Sequence, residues 1–252
     1  MDIEKLKKQW LAREAAAKVK GWDFSEIEDS YEEFPLPWDY AEIIKSFLKP
    51  SDILLDTDTG GGEFLLSLGH DPRLTFATEG YAPNVAYCRE KLLPLGINFK
   101  EAADWKNLPF GEASVNIMIN RHGDYHPPEV RRLLKPKGVF ITQQVGEDNE
   151  RGLVEMLLPG EKKPYEGWNR EQCTAALDQA GFEIIRSEEA FPPIRFYDVG
   201  ALVWFARIIE WEFKGFSVEK CFERLLEAQR LIDERGFIED RTHRFLIVAG
   251  KI

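Results

Sequence analysis

The stretch Ile53-Leu54-Leu55-Asp56-Thr57-Asp58-Thr59-Gly60-Gly61-Gly62-Glu63 decides how this chain folds. Three apolar residues run into an acid, then into a row of glycines, then into the apolar-periodic segment Phe64 to Leu68. A short apolar run that ends in a glycine turn predicts a buried parallel strand, and the turn opens a helix. This strand–turn–helix layout holds a nucleotide-like ligand at the carboxyl end of a sheet. Its glycines let the backbone come close to the ligand, and the helix N–H groups face an anionic part of it.

On either side the same alternation continues. Strands are expected at 52–57, 73–78, 97–102, 114–120, 138–145, 182–189 and 243–250. Helical patterns fall between them at 62–69, 83–93, 127–134, 149–158 and 169–180. Such alternation predicts an α/β fold, a doubly wound, seven-stranded, mostly parallel sheet with helices on both faces. Asn169 before the helix and Gly181 after it are cap signals. Residues 1–20 suit a helix stopped by Gly21, 21–38 are loop-like, and 39–48 read as a short helix. After residue 190, Phe191-Pro192-Pro193 opens an insertion with two helical patterns, about 198–210 and 217–235. Ser217 offers an N-cap to the second, and Gly236 ends it. The expected organisation is a helical cap or lid at 1–50, a ligand-binding core at 51–190, a helical insertion at 191–236 and the last core strand at 237–252.

Composition narrows the function classes. The chain has 252 residues, enough for one sizeable core, and 44% are hydrophobic, as in an ordinary globule. No apolar run approaches the roughly 18–20 residues of a membrane span, and the charged start Met1-Asp2-Ile3-Glu4-Lys5 points to a soluble, cytoplasmic protein without a membrane partner. Cys88, Cys173 and Cys221 lie far apart with no C-x-x-C pair, which argues against a disulfide framework or structural zinc. The four histidines lack metal-ligand spacing, so no metal is expected. Thirty-three bases against 44 acids leave a net charge of −11. The basic cluster Lys5 to Lys20 runs directly into the acidic run Asp23 to Glu33, so a nucleic-acid partner is disfavoured. The oligomeric state is left open.

The spacing of the glycines separates two kinds of ligand. Dinucleotide folds use G-x-G-x-x-G; here the glycines are consecutive and an acid precedes them, which argues against a nicotinamide oxidoreductase. The pattern acid-x-Gly-x-Gly-x-Gly instead resembles motif I of the class I S-adenosylmethionine (SAM) dependent methyltransferases. On that pattern Asp56 is the acid and Gly60 and Gly62 are the second and third glycines. Asp58 stands where the first glycine should be. Thr75-Phe76-Ala77-Thr78-Glu79, Ala102 to Phe110, Val115 to His122, Leu133 to Ile141 and Phe245 to Ala249 resemble the family's later segments in the right order. Gln143-Gln144-Val145-Gly146 and Phe196 to Val203 look like features of a bacterial group within it.

The resemblance implies SAM as cofactor, S-adenosylhomocysteine as product, and a set of cofactor-binding residues. These are Asp56, Thr57, Asp58, Gly60, Gly62, Glu79, Gly80, Tyr81, Ala103, Asp104, Trp105 and Asn120. In the family the acid matching Glu79 bonds the ribose hydroxyls. The acid matching Asp104 reaches the adenine amino group, and an adjacent apolar side chain, here Trp105, covers the ring. His122, just past the fourth strand, is the candidate general base, because histidine titrates near working pH. Its plain alternative is a loop histidine bonded to backbone. Trp22, Phe24, Tyr31 and Trp38 fit a lid over a flat or apolar acceptor, or simply a packed core. Arg121, Arg195 and Tyr197 are candidates to hold an acidic or hydroxylated acceptor. The expected activity is in-line methyl transfer from SAM to a small molecule. The alternatives are an rRNA or tRNA methyltransferase, and a non-catalytic SAM-fold binding protein that Asp58 keeps open.

Overall fold

The computed structural model describes residues 2–18 and 24–252. Its strands are β1 (Tyr31–Glu33), β2 (Leu54–Thr57), β3 (Thr75–Glu79), β4 (Asn98–Glu101), β5 (Val115–Arg121), β6 (Leu134–Val145), β7 (Phe182–Ala190), β8 (Pro193–Phe196), β9 (Ile238–Arg241) and β10 (Arg244–Lys251). The chain divides into two compact units, Pro37–Gly146 with Gly167–Glu189 and Arg244–Ile252, and Met1–Leu36 with Glu147–Glu166 and Ala190–His243.

The first unit carries a seven-stranded sheet of order β4-β3-β2-β5-β6-β10-β7. β2 pairs in parallel with β3 and β5, β3 with β4, and β5 with β6. β10 runs antiparallel to β6, with Ile247 opposite Thr142. This is the seven-stranded sheet that the alternating pattern predicts, and its antiparallel strand β10 is the one that the methyltransferase resemblance implies. Every residue of β2 is buried, as a central strand covered on both faces must be. One core cluster gathers Leu55, Val115, Met118, Phe140, Phe245 and Ile247. The strand expected from residue 138 begins earlier, so Leu134-Lys135-Pro136-Lys137-Gly138 belongs to β6 itself. It shifts the β5–β6 register between Val115 and Ile117, and Lys137 takes φ +65°. Helix Arg170–Gln179 has its expected cap, with Asn169 accepting from the Gln172 N–H.

The second unit is helical around a small sheet. Helices Ile3–Ala16, Arg151–Leu157, Val199–Ile208 and Val218–Arg235 belong to it. Ser217 accepts from the Lys220 N–H and Gly236 ends the last helix at φ +86°. Val199 to Ala206 are all buried, so this helix is apolar all round and sits inside a core with Trp10, Phe196, Phe213 and Leu225. β1, β8 and β9 form an antiparallel sheet of order β1-β8-β9. The sequence reading lacks this sheet: β1 has three residues, β8 begins with a proline, and β9 is charged at three of four positions. β1 and β9 offer no alternation, and β8 offers only Ile194 and Phe196 around Arg195, too short a run to mark a strand. The unit also takes in 147–166 and 237–243, while 37–50 pack in the sheet unit. Among the described residues no helix is long and apolar enough to cross a membrane.

Candidate functional site

The carboxyl ends of β2, β3 and β5 bring the motif residues together in the sheet unit. Helix Glu63–Ser67 starts from Gly62, at φ +77°, and Gly60 takes φ +63°. Both are left-handed conformations that glycine adopts without a Cβ penalty. The turn is tied down at several points. The Thr59 N–H donates to the Thr78 carbonyl at 3.0 Å and the Gly62 N–H to the Thr59 carbonyl at 3.0 Å. The Cys88 thiol donates to the Gly60 carbonyl at 3.0 Å.

Three carboxylates meet at this turn, each differently placed. Asp56 is 4% exposed, and its Oδ2 accepts from the Thr59 hydroxyl at 2.6 Å. Burial pushes its pKa up to about 7; the Thr59 bond and the Arg121 charge act the other way, and the charge of Glu79 adds to the rise. Asp58, half-buried, is likewise pushed up to about 7 by burial and then by the charges of Glu79, Asp124 and Asp56, while a backbone bond from Asp124 opposes this. Glu79 is buried, and three backbone donors surround it. Its Oε2 accepts from the Gly60 N–H at 2.8 Å, its Oε1 from the Gly80 N–H at 2.9 Å and the Tyr81 N–H at 2.8 Å. Glu79 therefore pins β3 to the glycine turn. Close packing continues at Gly80, where a Cβ would lie 2.8 Å from both the Ala102 carbonyl oxygen and Ala103 Cα.

Asn120, one residue before the end of β5, is fully buried. Its Nδ2 donates to the Thr57 carbonyl and hydroxyl at 3.2 and 3.1 Å, and its Oδ1 accepts from Gln144 Nε2 at 2.6 Å. Gln144 also bonds Thr142 Oγ1 at 2.7 Å. Buried polar groups are bonded, and this network joins β2, β5 and β6 across the sheet. Tyr40 adds two bonds from its hydroxyl, to the carbonyls of Asn120 and Ile141 at 3.1 and 2.9 Å. Tyr40, Thr142, Gln143 and Gln144 have no role in the sequence reading. For the last three the available signal was the polar triplet Thr142-Gln143-Gln144 after the apolar run Val139-Phe140-Ile141.

His122 follows at φ +63°. Trp38 donates its indole N–H to Gln143 Oε1 at 2.9 Å, which turns the Gln143 amide nitrogen toward His122 Nε2 at 3.3 Å. This network assigns Nε2 as acceptor and places the ring proton on Nδ1. Solvent reaches His122, yet protein mass around the ring and the charges of Arg244 and Arg121 push its pKa well below the ordinary histidine value. The ring is therefore neutral at pH 7. Arg121 lays its guanidinium over the Phe64 ring at 4.3 Å.

The remaining sequence candidates lie as follows. Asp104 is exposed, and its Oδ1 accepts from the Lys106 N–H at 3.0 Å in a turn. Trp105 stands edge-on to His126 at 6.0 Å and beneath Lys106 Nζ at 4.7 Å. Ala103 and Tyr81 are exposed, Tyr81 at 66%. Trp22 lies outside the described residues. In the second unit, Phe24 and Tyr31 pack on the aromatic core, Phe24 at 5.7 Å from Trp204 and Tyr31 at 5.4 Å from Phe196. Core packing accounts for both without a ligand. Trp38 is buried in the sheet unit, bonded to Gln143 as above. Arg195 stacks between Phe34 and Phe237 at 4.7 and 4.5 Å and bonds Glu239 at 2.7 Å. Tyr197 donates to Glu32 at 2.6 Å.

No family model and no curated protein matches the chain. Solved structures do. A candidate methyltransferase from Bacillus halodurans superposes with a TM-score of 0.57 at 16% identity, covering 84% of this chain and 98% of that one. A protein of unknown function from Deinococcus radiodurans gives 0.59 at 14% identity, covering 99% and 98%. The [4+2]-cyclase SpnF gives 0.51 at 15% identity over 98% and 92%, so the likeness extends to a protein named for a cyclisation. At these identities the comparison speaks for architecture, and the architecture of this chain is the Rossmann-like methyltransferase fold.

Proposed function

We propose that this chain is a class I SAM-dependent methyltransferase acting on a small-molecule acceptor. The observation that carries the reading is the meeting of Asp56, Asp58 and Glu79 at a glycine turn on the carboxyl edge of this sheet. Buried carboxylates that repel one another are relieved by a cation. SAM carries both a sulfonium and an ammonium, so the donor set fits it in charge. When bound, SAM supplies a methyl group already activated on sulfur.

The chain's own residues then have limited tasks. Asp56 and Asp58 offer negative charge to the cationic ligand. Glu79 keeps one lone pair beyond its three backbone donors and can accept a hydroxyl. His122 Nε2 already accepts from the Gln143 amide, so it would take a proton from a hydroxyl or an ammonium acceptor only after releasing that bond. The rest of the rate comes from proximity, in-line alignment and exclusion of water. The net charge of −11 counts against an RNA acceptor.

A second reading is favoured by one feature. Asp58 puts a carboxylate and φ +54° at the first glycine position, and this suits a binding module that holds a SAM-like ligand without transfer. Calorimetric titration with SAM and S-adenosylhomocysteine tests both. One-to-one SAM binding in the micromolar range, weakened at least tenfold by Glu79→Ala, is the expected result; that variant leaves the Gly60, Gly80 and Tyr81 N–H groups without their acceptor. No heat from either ligand in folded protein would sink the cofactor assignment. Tight binding without turnover across an acceptor panel would favour the binding module.

A further inference from the structure

We infer that Trp38 and Gln143 are positioning residues that lock His122 in one tautomer, so that its ring offers the methyl acceptor an Nδ1–H donor instead of a basic nitrogen. The donor role rests on the methyl-transfer reading; the lock itself does not.

Trp38 begins the chain of bonds. An indole N–H can only donate, so its partner at 2.9 Å is the Gln143 amide oxygen Oε1. The reverse amide orientation would set N–H against N–H. The Gln143 NH2, which can also only donate, is thus left facing His122 Nε2 at 3.3 Å. Nε2 keeps its lone pair for that bond, and a proton on it would again oppose donor to donor. The same glutamine holds the backbone, because the His122 N–H donates to the Gln143 carbonyl at 2.9 Å. One residue therefore fixes ring and main chain together. His122 sits at φ +63°, a conformation that persists where its surroundings over-determine it.

Burial separates what is built from what is presented. Trp38 and Gln143 are 8% and 7% exposed, whereas His122 is open to solvent. Nε2 carries the one ring hydrogen bond of His122 among the described residues, which leaves Nδ1–H on offer. A general-base histidine such as that of the Ser-His-Asp triad has an acid behind its ring; here the group behind the ring is an amide donor, of opposite polarity. The charged groups around the ring are Arg121 on its own strand and Arg244 on β10, and both positive charges oppose a second proton. The Asp58 carboxylate, on the glycine turn, lies against Gly123 in the same loop. A substrate meeting His122 would do so through a lone pair, on a carbonyl or carboxylate oxygen, and transfer would leave no proton on the ring.

The test is NMR of the isotope-labelled full chain, reading the tautomer and titration of His122 from its ring nitrogens in wild type, Gln143→Glu and Trp38→Phe. Wild type should show the Nδ1–H form, the less common one for a free imidazole side chain. Gln143→Glu keeps an acceptor for Trp38 and places a second one at Nε2. It should switch the ring to Nε2–H and raise its titration midpoint by about one pH unit or more. Trp38→Phe keeps an aromatic ring but frees the amide to turn, so the Nε2–H form should appear beside the first. His70, whose Nε2 bonds the Asp52 carbonyl at 2.8 Å, should keep its tautomer throughout, which separates a local switch from loss of fold. An Nε2–H ring in wild type, or a ring that does not switch in folded Gln143→Glu, would overturn the lock. Turnover decides the donor role: with an acceptor that the SAM-bound protein methylates, Gln143→Glu should raise KM more than it lowers kcat. A kcat limb that follows the His122 midpoint from wild type to Gln143→Glu would make His122 a base and overturn that role. The two readings fail separately: a protein that binds no SAM yet shows the tautomer switch loses the cofactor and keeps the lock. SAM binding with an unlocked ring does the reverse.

Discussion

The carboxyl edge of the large sheet and the helix Val199–Ile208 are both heavily buried, but on opposite terms. The helix presents Val199 to Ala206 to a core of aromatic and aliphatic side chains. Its stabilisation scales with apolar area removed from water, and each residue matters mainly through its volume. At the sheet edge Asp56, Thr57, Glu79, Asn120, Thr142 and Gln144 are buried as polar groups. There, identity matters more than volume, because each donor and acceptor needs a named partner. Asn120 and Glu79 have theirs. Asp56 and Asp58 remain crowded by like charge, and a region that stores such cost in an otherwise satisfied network marks where a ligand acts.

The comparison can be broken first at its apolar end. Trp204 is 1% exposed and meets Phe24 edge-on at 5.7 Å. Trp204→Ala should cost about 3–5 kcal/mol in urea unfolding, the transfer and cavity cost of a large core side chain. A loss below about 1 kcal/mol would mean the helix is not held by packing.

The polar end should respond to pH instead. The folded-state pKa of Asp56 is raised to about 7 from an ordinary value of 3.8. Between those values the folded state binds more protons than the unfolded one, so stability falls as pH rises from about 4 to 7. The slope contributed by this acid is up to about 1.4 kcal/mol per pH unit. Asp56→Asn keeps an acceptor for the Thr59 hydroxyl and cannot ionise, so its unfolding curves between pH 5 and 8 should lose that part of the slope. An unchanged slope would show that Asp56 is ionised without penalty.

The smallest effect belongs to Arg195. Its ion pair with Glu239 is partly exposed, with 29% and 35% of the two side chains accessible, and such solvent-screened pairs contribute little. Stacking on Phe34 and Phe237 adds a small contribution at such an exposed site. Arg195→Ala should shift thermal unfolding by only a few degrees. A much larger shift would make this surface a structural keystone, and a loss of acceptor turnover with little loss of stability would identify it as substrate-facing.

The strands and helices of the large sheet were legible because their signals are local. Leu54-Leu55-Asp56 before glycines, Asn169 before a helix and Gly181 after it act within a few residues of themselves. The small sheet β1-β8-β9 was not legible, since Glu32 pairs with Arg195 and Arg195 with Glu239 across long stretches of chain. Its strands are specified by their partners more than by their own pattern. The aromatic run in 21–38 shows the same limit. Sequence alone groups Phe24, Tyr31 and Trp38, whereas the structure sends the first two to the helical core and Trp38 to Gln143 in the sheet unit.

By itself, then, the sequence determined the alternating elements of the seven-stranded sheet and the glycine turn after Asp56, because hydrophobic period and glycine spacing are properties of neighbours along the chain; Glu79 and Asn120 were marked out only by the resemblance to the methyltransferase pattern. Only the tertiary structure decided what those positions touch. Glu79 spends its oxygens on three backbone N–H groups, Gln143 and Gln144 hold the β5 exit loop, and Asp58 lies against Gly123 from a distant part of the chain. Burial and charge between residues distant in sequence depend on which strands lie side by side, and no local pattern carries that information.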